Sequence, residues 1–479
     1  MIFFIIVLRL IAKAVSRLIV GLTLALLLAG CGLGTPTPFT VGKTNPATAT
    51  VRPEPTATIV NRTVPTKGLL LPPTLSPVVP TSTPLPPTPT PVALPGGELI
   101  LWEGLTPAQG SVLSSSLELF QKLYPEVQFN LRHLETETIG GQLSEATKDT
   151  PNLIIAPAER AGEWQKSKLI LAVEPITGKP FLDNFEPNIL QGLKIDNTAW
   201  GIPFDAGRTS LLFFNKKLIA ADKIPDSWEA LTSYVRANPI KKGEFYPFAA
   251  DLYNPSLLLA FFGAFGGKTL FEQNNQPRLN NEPMQKALQF TQDAVFKNKV
   301  VPADPNYLQM QLLFRTGQLA MIIADSENLT EYQKPEWNNR LNLGIARLPQ
   351  LQGQMLTPPS SGLAYFIGSG TASDGPKLAA VRAFLSFMAQ PEQQRLLPGL
   401  LRLLPPTRAG LNDPVVKDDP LLSAMAAQFE TARAVSPTPE FGVVVDAMRV
   451  PLSSVVASRA SPAEGVAAMQ EVALKKLKK

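Results

Sequence analysis

Residues 98–131 read ELILWEGLTPAQGSVLSSSLELFQKLYPEVQFNL, and their apolar period changes twice. ELILW is a short apolar run of strand type. Val112, Leu113, Leu117, Phe120 and Leu123 then recur at helical spacing, and Pro125 closes that helix. Val127, Phe129 and Leu131 alternate with polar residues, as in a half-buried strand. Beyond a turn-rich stretch, NLIIA at 152–156 follows Pro151 as another apolar strand. Strand, helix, strand, strand predicts an α/β fold with a parallel-rich, doubly wound sheet, whose ligands sit beyond the carboxyl ends of its strands. Those ends are Trp102–Glu103 and Ala156 to Arg160.

Upstream, the only cysteine of 479 residues sits in LLLAGCGLGTPTP, residues 26–38. One thiol cannot form an internal disulfide or a cysteine-rich zinc site. It follows a leader without acidic residues that carries Arg9, Lys13 and Arg17 and runs apolar from Leu18 to Leu28. Leu28-Ala29-Gly30-Cys31 resembles the lipobox of bacterial lipoproteins, which implies a leader over 1–30, cut after diacylation of Cys31. An uncut transmembrane anchor is the alternative; either places the rest outside the cytoplasmic membrane. Residues 35–97 are rich in proline and threonine, a composition that favours extended, disordered tethers. The net charge of +5 is local: without the leader's three cations and the tail's Lys475, Lys476, Lys478 and Lys479, it is −2. No basic stripe with interleaved aromatics appears, so nucleic acid is excluded as a partner. The tail lysines suit the C-terminal end of a last helix.

Downstream, roughly 380 residues exceed what a single core usually holds, so two lobes are expected. The segments LILWEG…FQKLYPEVQFNL, PNLIIAPAERAGEWQKSKLILAVEPI, WGIPFDAGRTSLLFFNKKL, IPDSWEAL, FRTGQLAMII, GIARLPQLQG…GLAYFIGSG and VRAFLSFMAQPEQQRLL occur in one order. That ordered set resembles the family 1 extracellular solute-binding proteins of ABC importers, and it runs from Glu98 to Lys479. The resemblance implies a two-lobed periplasmic-binding-protein fold of doubly wound sheets joined by a hinge. One lobe is expected from 98–205 with 361–408, the other from 206–360 with 409–479. Crossings are expected near Pro203–Gly207, before Gly362 and near Pro405–Arg408. Within this frame Asp226 and Glu229 suggest a capping-box start, Pro283 a first helical turn, and Gly317 a break before the strand LAMIIA.

Carried over from the maltose-binding type within that family, Glu159-Arg160 matches a carboxylate–arginine pair. Arg208 and Asn254 stand where that type has carboxylates. Ala156, Ser256, Glu327 and Val445 occupy the places of its aromatic sugar platforms. Trp102, Glu103, Asp325, Ser360, Ser361 and Gly362 complete the candidates, by their positions at strand ends and in a small polar loop. Each has a structural alternative: a surface ion pair for Glu159-Arg160, an inter-lobe strut for Arg208, helix caps for Asn254 and Asp325. Trp164 reads as packing and His133 as solvated. With platforms lost and an arginine expected from each lobe, the implied ligand is smaller and more polar than a malto-oligosaccharide, such as a sugar acid or phosphorylated sugar.

Catalytic readings lack parts. His133 is the only histidine, no nucleophile-elbow pattern is present, and neither a phosphate-binding G-x-x-x-x-G-K-[ST] loop nor a paired-histidine motif occurs. The expectation is therefore a non-enzymatic, cofactor-free, monomeric binder, held to the membrane by a lipid anchor. It would capture a small polar solute, a sugar or sugar derivative, for ABC transporter permease subunits. The alternatives are a sensing or scaffold lipoprotein on the same fold and, further off, a carbohydrate-active enzyme with distant carboxylates.

Overall fold

The computed structural model describes residues 94–146, 150–272, 275–301 and 306–478. Cys31, the leader and most of the proline–threonine segment lie outside the described residues. All the described residues fall in one compact unit.

The chain opens with β1 (Gly97–Glu103), α1 (Pro107–Leu123), β2 (Val127–His133) and β3 (Leu153–Pro157). β1 pairs in parallel with both β2 and β3, so α1 serves as the crossover between β1 and β2. Helix α1 starts at a capping box: Thr106 accepts from Gln109 N, and the Gln109 side chain reaches back to Thr106 N. Its buried face is Val112, Leu113, Leu117 and Phe120, while Leu123 is exposed at its end. In β2 the alternation fades, since Leu131 is exposed on this edge strand.

A short helix α2 (Ala161–Lys166) leads on to β4 (Ile202–Pro203), after which the chain leaves the first sheet. The second sheet uses β5 (Ser210–Asn215), β6 (Tyr246–Ala250), β7 (Leu319–Asp325) and β8 (Leu343–Ala346). Around them run α3 (Trp228–Ala237), α4 (Pro255–Ala264), α5 (Glu282–Phe296) and α6 (Tyr307–Arg315). Pro283 lies in the first turn of α5, and Gly317, at φ +78°, separates α6 from β7. Helix α3 is capped by Ser227, which accepts from Ala230 N at 3.3 Å, one residue beyond the expected Asp226. The Asp226 carbonyl instead accepts Gln350 N at 2.7 Å, which fixes Asp226 outside the helix.

The chain then forms β9 (Pro359–Ser360) and returns to the first sheet as β10 (Leu363–Ile367), followed by α7 (Gly375–Met388). It ends in α8 (Pro420–Phe429), β11 (Arg433–Ala434), α9 (Pro439–Val456) and α10 (Pro462–Leu477). The first sheet has the order β2-β1-β3-β10-β4, the second β8-β5-β7-β6, and β9 pairs in parallel with β11. The fold is thus two-lobed, with one sheet in each lobe.

The first lobe's core centres on Phe384 of α7, whose ring lies 5.4 Å from Phe120 and 5.3 Å from Phe129. The first sheet is covered on both faces: Leu99 and Leu101 belong to this core, while Trp102, Ile154 and Phe366 pack with Trp164 on the opposite side. In the second lobe, Trp228 meets Phe261 at 5.4 Å and Phe290 at 5.2 Å, edge-on. Helices α9 and α10 join that core through Met448, Leu452, Val466 and Met469. Lys475 and Lys476 lie in the last turn of α10, where cations complement the helix dipole, and Lys476 also pairs with Asp446.

Candidate functional site

Register decides which loops meet. β6 and β7 run parallel, so the segments after Ala250 and after Asp325 leave from the same edge of the second sheet. β5 is antiparallel to β7, with Ser210 opposite Asp325, which brings Arg208 and Thr209 to that edge. In the first sheet Leu363 lies opposite Pro157, so Gly362 stands beside Ala158, and Ala158 N donates to Gly362 O at 2.9 Å. The two crossings also bind each other: Arg208 N donates to Ser361 O at 2.7 Å, and Ser361 N to Arg208 O at 3.3 Å.

Glycine permits this contact. Gly207 has φ +90°, and a Cβ there would lie 2.6 Å from the Ser361 carbonyl carbon. Asp205 ties both strands from beneath: one carboxylate oxygen accepts Gly207 N at 2.9 Å and Leu363 N at 3.2 Å. Burial pushes the Asp205 carboxyl up to about 6, although these hydrogen bonds and the nearby Arg208 pull the other way. Burial likewise raises Asp325 to about 6; its Oδ1 accepts Glu327 N at 3.1 Å.

Arg208 itself is taken. Its guanidinium donates to Glu327 at 2.7 Å; burial works against the charge, but this carboxylate holds the arginine's pKa above its ordinary value. Both residues border the second sheet, so the pair is a contact within one lobe. Arg160 pairs with Glu163 on the adjoining turn at 3.2 Å. Glu159 is exposed at the start of the turn, and its charge is felt by buried Asp205. Ser360 donates weakly to Ala206 O at 3.5 Å, and the buried Ser361 Oγ has no hydrogen-bond partner among the described residues.

Three candidates are engaged elsewhere. Trp102 is core, with Arg132 over its ring at 5.0 Å. Glu103, 4% exposed, accepts Leu105 N at 2.6 Å and faces His133 Nδ1 at 3.1 Å, so His133 is exposed yet partnered. Asn254 caps α4 by accepting Ser256 N at 2.9 Å.

Sequence reasoning missed Asp205 and the pairing of Glu327, which the resemblance marks only as a lost aromatic. The isolated acid in the apolar run GIPFDAG was the available signal. It also missed Tyr307 at the start of α6: the residue is 38% exposed, Asn328 Nδ2 donates to its hydroxyl at 3.4 Å, and Asp325 and Glu327 act on it electrostatically. The assembled edge is rich in hydrogen-bond acceptors, with each arginine already partnered. Among the described residues, no three metal-ligating side chains converge.

Comparison with known proteins agrees with this architecture. The chain is 23% identical over 355 residues to a maltotriose-binding protein from Pyrococcus abyssi, covering 73% of this chain and 75% of that one. It is 22% identical over 401 residues to a galactooligosaccharide-binding protein from Bacillus subtilis, covering 80% and 90%. The solved maltose/maltodextrin-binding domain from Bdellovibrio bacteriovorus bound to maltotriose superposes with a TM-score of 0.63 at 22% identity, over 80% of this chain and all of that one. The sequence profile described as "Bacterial extracellular solute-binding protein" matches residues 117–424. With that match over more than half its length and a sheet in each of two lobes, the chain belongs to the bacterial extracellular solute-binding protein family.

Proposed function

We propose that this protein captures a neutral, hydroxyl-rich sugar between its lobes and hands it to the permease subunits of an ABC importer, without chemistry of its own. The observation that carries the reading is the acceptor-rich edge: Glu159, Asp205, Asp325 and Glu327 outnumber its two cations, Arg160 and Arg208, both of which are already paired. Carboxylates accept from sugar hydroxyls through charge-assisted hydrogen bonds, whereas an acidic sugar would meet net repulsion. This replaces the acidic ligand implied by two unpaired arginines. The relatives' names, maltotriose-binding and galactooligosaccharide-binding, favour the same class.

The proposed lobes are 98–205 with 361–408 and 206–360 with 409–479, and the protein acts as a monomer. Glu159 and Arg160 face the ligand from the first lobe; Arg208, Asp325, Glu327 and Tyr307 face it from the second, over a floor of Ser360, Ser361 and Gly362. Lipidated Cys31 tethers it outside the cytoplasmic membrane, a point tested by loss of fatty-acid labelling in Cys31→Ser. Calorimetric titration with maltotriose, a galactooligosaccharide, glucuronate and glucose 6-phosphate tests the ligand class. A neutral oligosaccharide should bind and compact the protein in solution scattering. Glu327→Ala should then weaken it about tenfold or more, the scale of one charged hydrogen bond. Binding of the two acidic sugars with none of the neutral ones overturns the reading.

A further inference from the structure

Beside the β9–β11 pair lies a cavity of about 260 Å³ that includes none of the residues assigned above to the sugar site. Phe262, Phe271 and Phe441 form apolar walls, Lys194, Lys268 and Arg433 line the same space, and no aspartate or glutamate does. Lys194 precedes the first crossing, whereas Lys268 follows α4 and Arg433 begins β11, so the recess is lined from both sides of that crossing.

None of the three cations forms an ion pair among the described residues. Arg433 is held in place by donating from one Nη to the carbonyls of Gly267 and Lys268, both at 3.1 Å. No carboxylate pairs with it among the described residues, and burial depresses its pKa. The side chains of Lys194 and Lys268 have neither an ion pair nor a hydrogen bond among the described residues. Other partly buried cations do have acids: Arg402 pairs with Asp419 at 2.8 Å and Arg315 with Glu331 at 2.7 Å. An anion placed among three unpaired cations at an apolar-walled recess gains charge-assisted hydrogen bonds. Size fits as well. A benzene-sized body occupies a dry cavity of about 150 Å³, which leaves room here for an anionic head.

We propose that this recess is a second ligand site, distinct from the sugar cleft, for a small amphiphilic anion: a carboxylate or phosphate monoester on an aromatic or compact aliphatic body. The phenylalanines take the body and the three cations take the head.

The test is calorimetric titration of the whole protein with phenyl phosphate, alongside inorganic phosphate and phenol. Phenyl phosphate should bind with one-to-one stoichiometry, and each fragment should bind at least about tenfold more weakly, because each meets only half of the site. The double variant Lys194→Gln/Lys268→Gln should lower affinity about tenfold or more without moving the melting temperature, since neither ammonium is bonded within the protein. Arg208→Ala should leave phenyl phosphate binding unchanged. No binding at millimolar phenyl phosphate, wild-type affinity in the double lysine variant, or loss of binding in Arg208→Ala would each overturn the proposal.

Discussion

Replacing Asp205 with asparagine isolates the cost of seating a charge beneath the two crossings. In the folded protein this carboxyl titrates at about 6 rather than 3.8, mainly because it is buried. Between those values the folded state holds a proton that the unfolded chain has released. The contribution of Asp205 to the unfolding free energy therefore falls as pH rises from about 4 to about 6 and levels off above, the reverse of the usual paired carboxylate. The shift corresponds to about 3 kcal/mol, fully present below the unfolded pKa and lost above the folded one. Asparagine resembles the protonated acid, keeping an oxygen for Gly207 N and Leu363 N without the charge. Asp205→Asn should thus match wild type near pH 4 and exceed it by up to about 3 kcal/mol near pH 7. Urea unfolding followed by tryptophan fluorescence across that window measures the difference. Asp325, raised similarly, contributes to both proteins and cancels. Parallel profiles for the two proteins would refute the reasoning, because Asp205 would then ionise as an ordinary surface acid.

Phe384→Ala empties the centre of the first lobe's aromatic cluster and should cost about 3–5 kcal/mol in calorimetric unfolding, against well under 1 kcal/mol for the exposed Leu400→Ala. Gly207→Ala forces a side chain onto φ +90° and against the Ser361 carbonyl, so it should destabilise by more than about 1 kcal/mol and lower sugar affinity by disturbing the crossing. Asn254→Ala removes the cap of α4 and should cost about 1 kcal/mol, whereas Asn254→Asp should restore it; an equal loss in both variants would indicate a contact other than the cap.

The linear chain by itself determined the order of elements and where each begins and stops. Val112, Leu113, Leu117 and Phe120 needed only their own spacing to define a helical face, and Pro125, Pro283 and Gly317 marked ends through constraints on their own backbone. The ordered segments also carried the two-lobed fold. The site was far less legible. Trp102 stands at a strand's carboxyl end, yet a sheet covered on both faces buries successive residues alike, so alternation cannot say which side chain meets a ligand. Whether Arg208 was free depended on Glu327, 119 positions away, brought beside it by the pairing of β5 with β7. Asp205 became a buried carboxylate because two crossings from distant parts of the chain closed over it. Periodicity and capping arise among neighbours in sequence; charge pairing and desolvation arise among neighbours in space, and only the tertiary structure decides who those are.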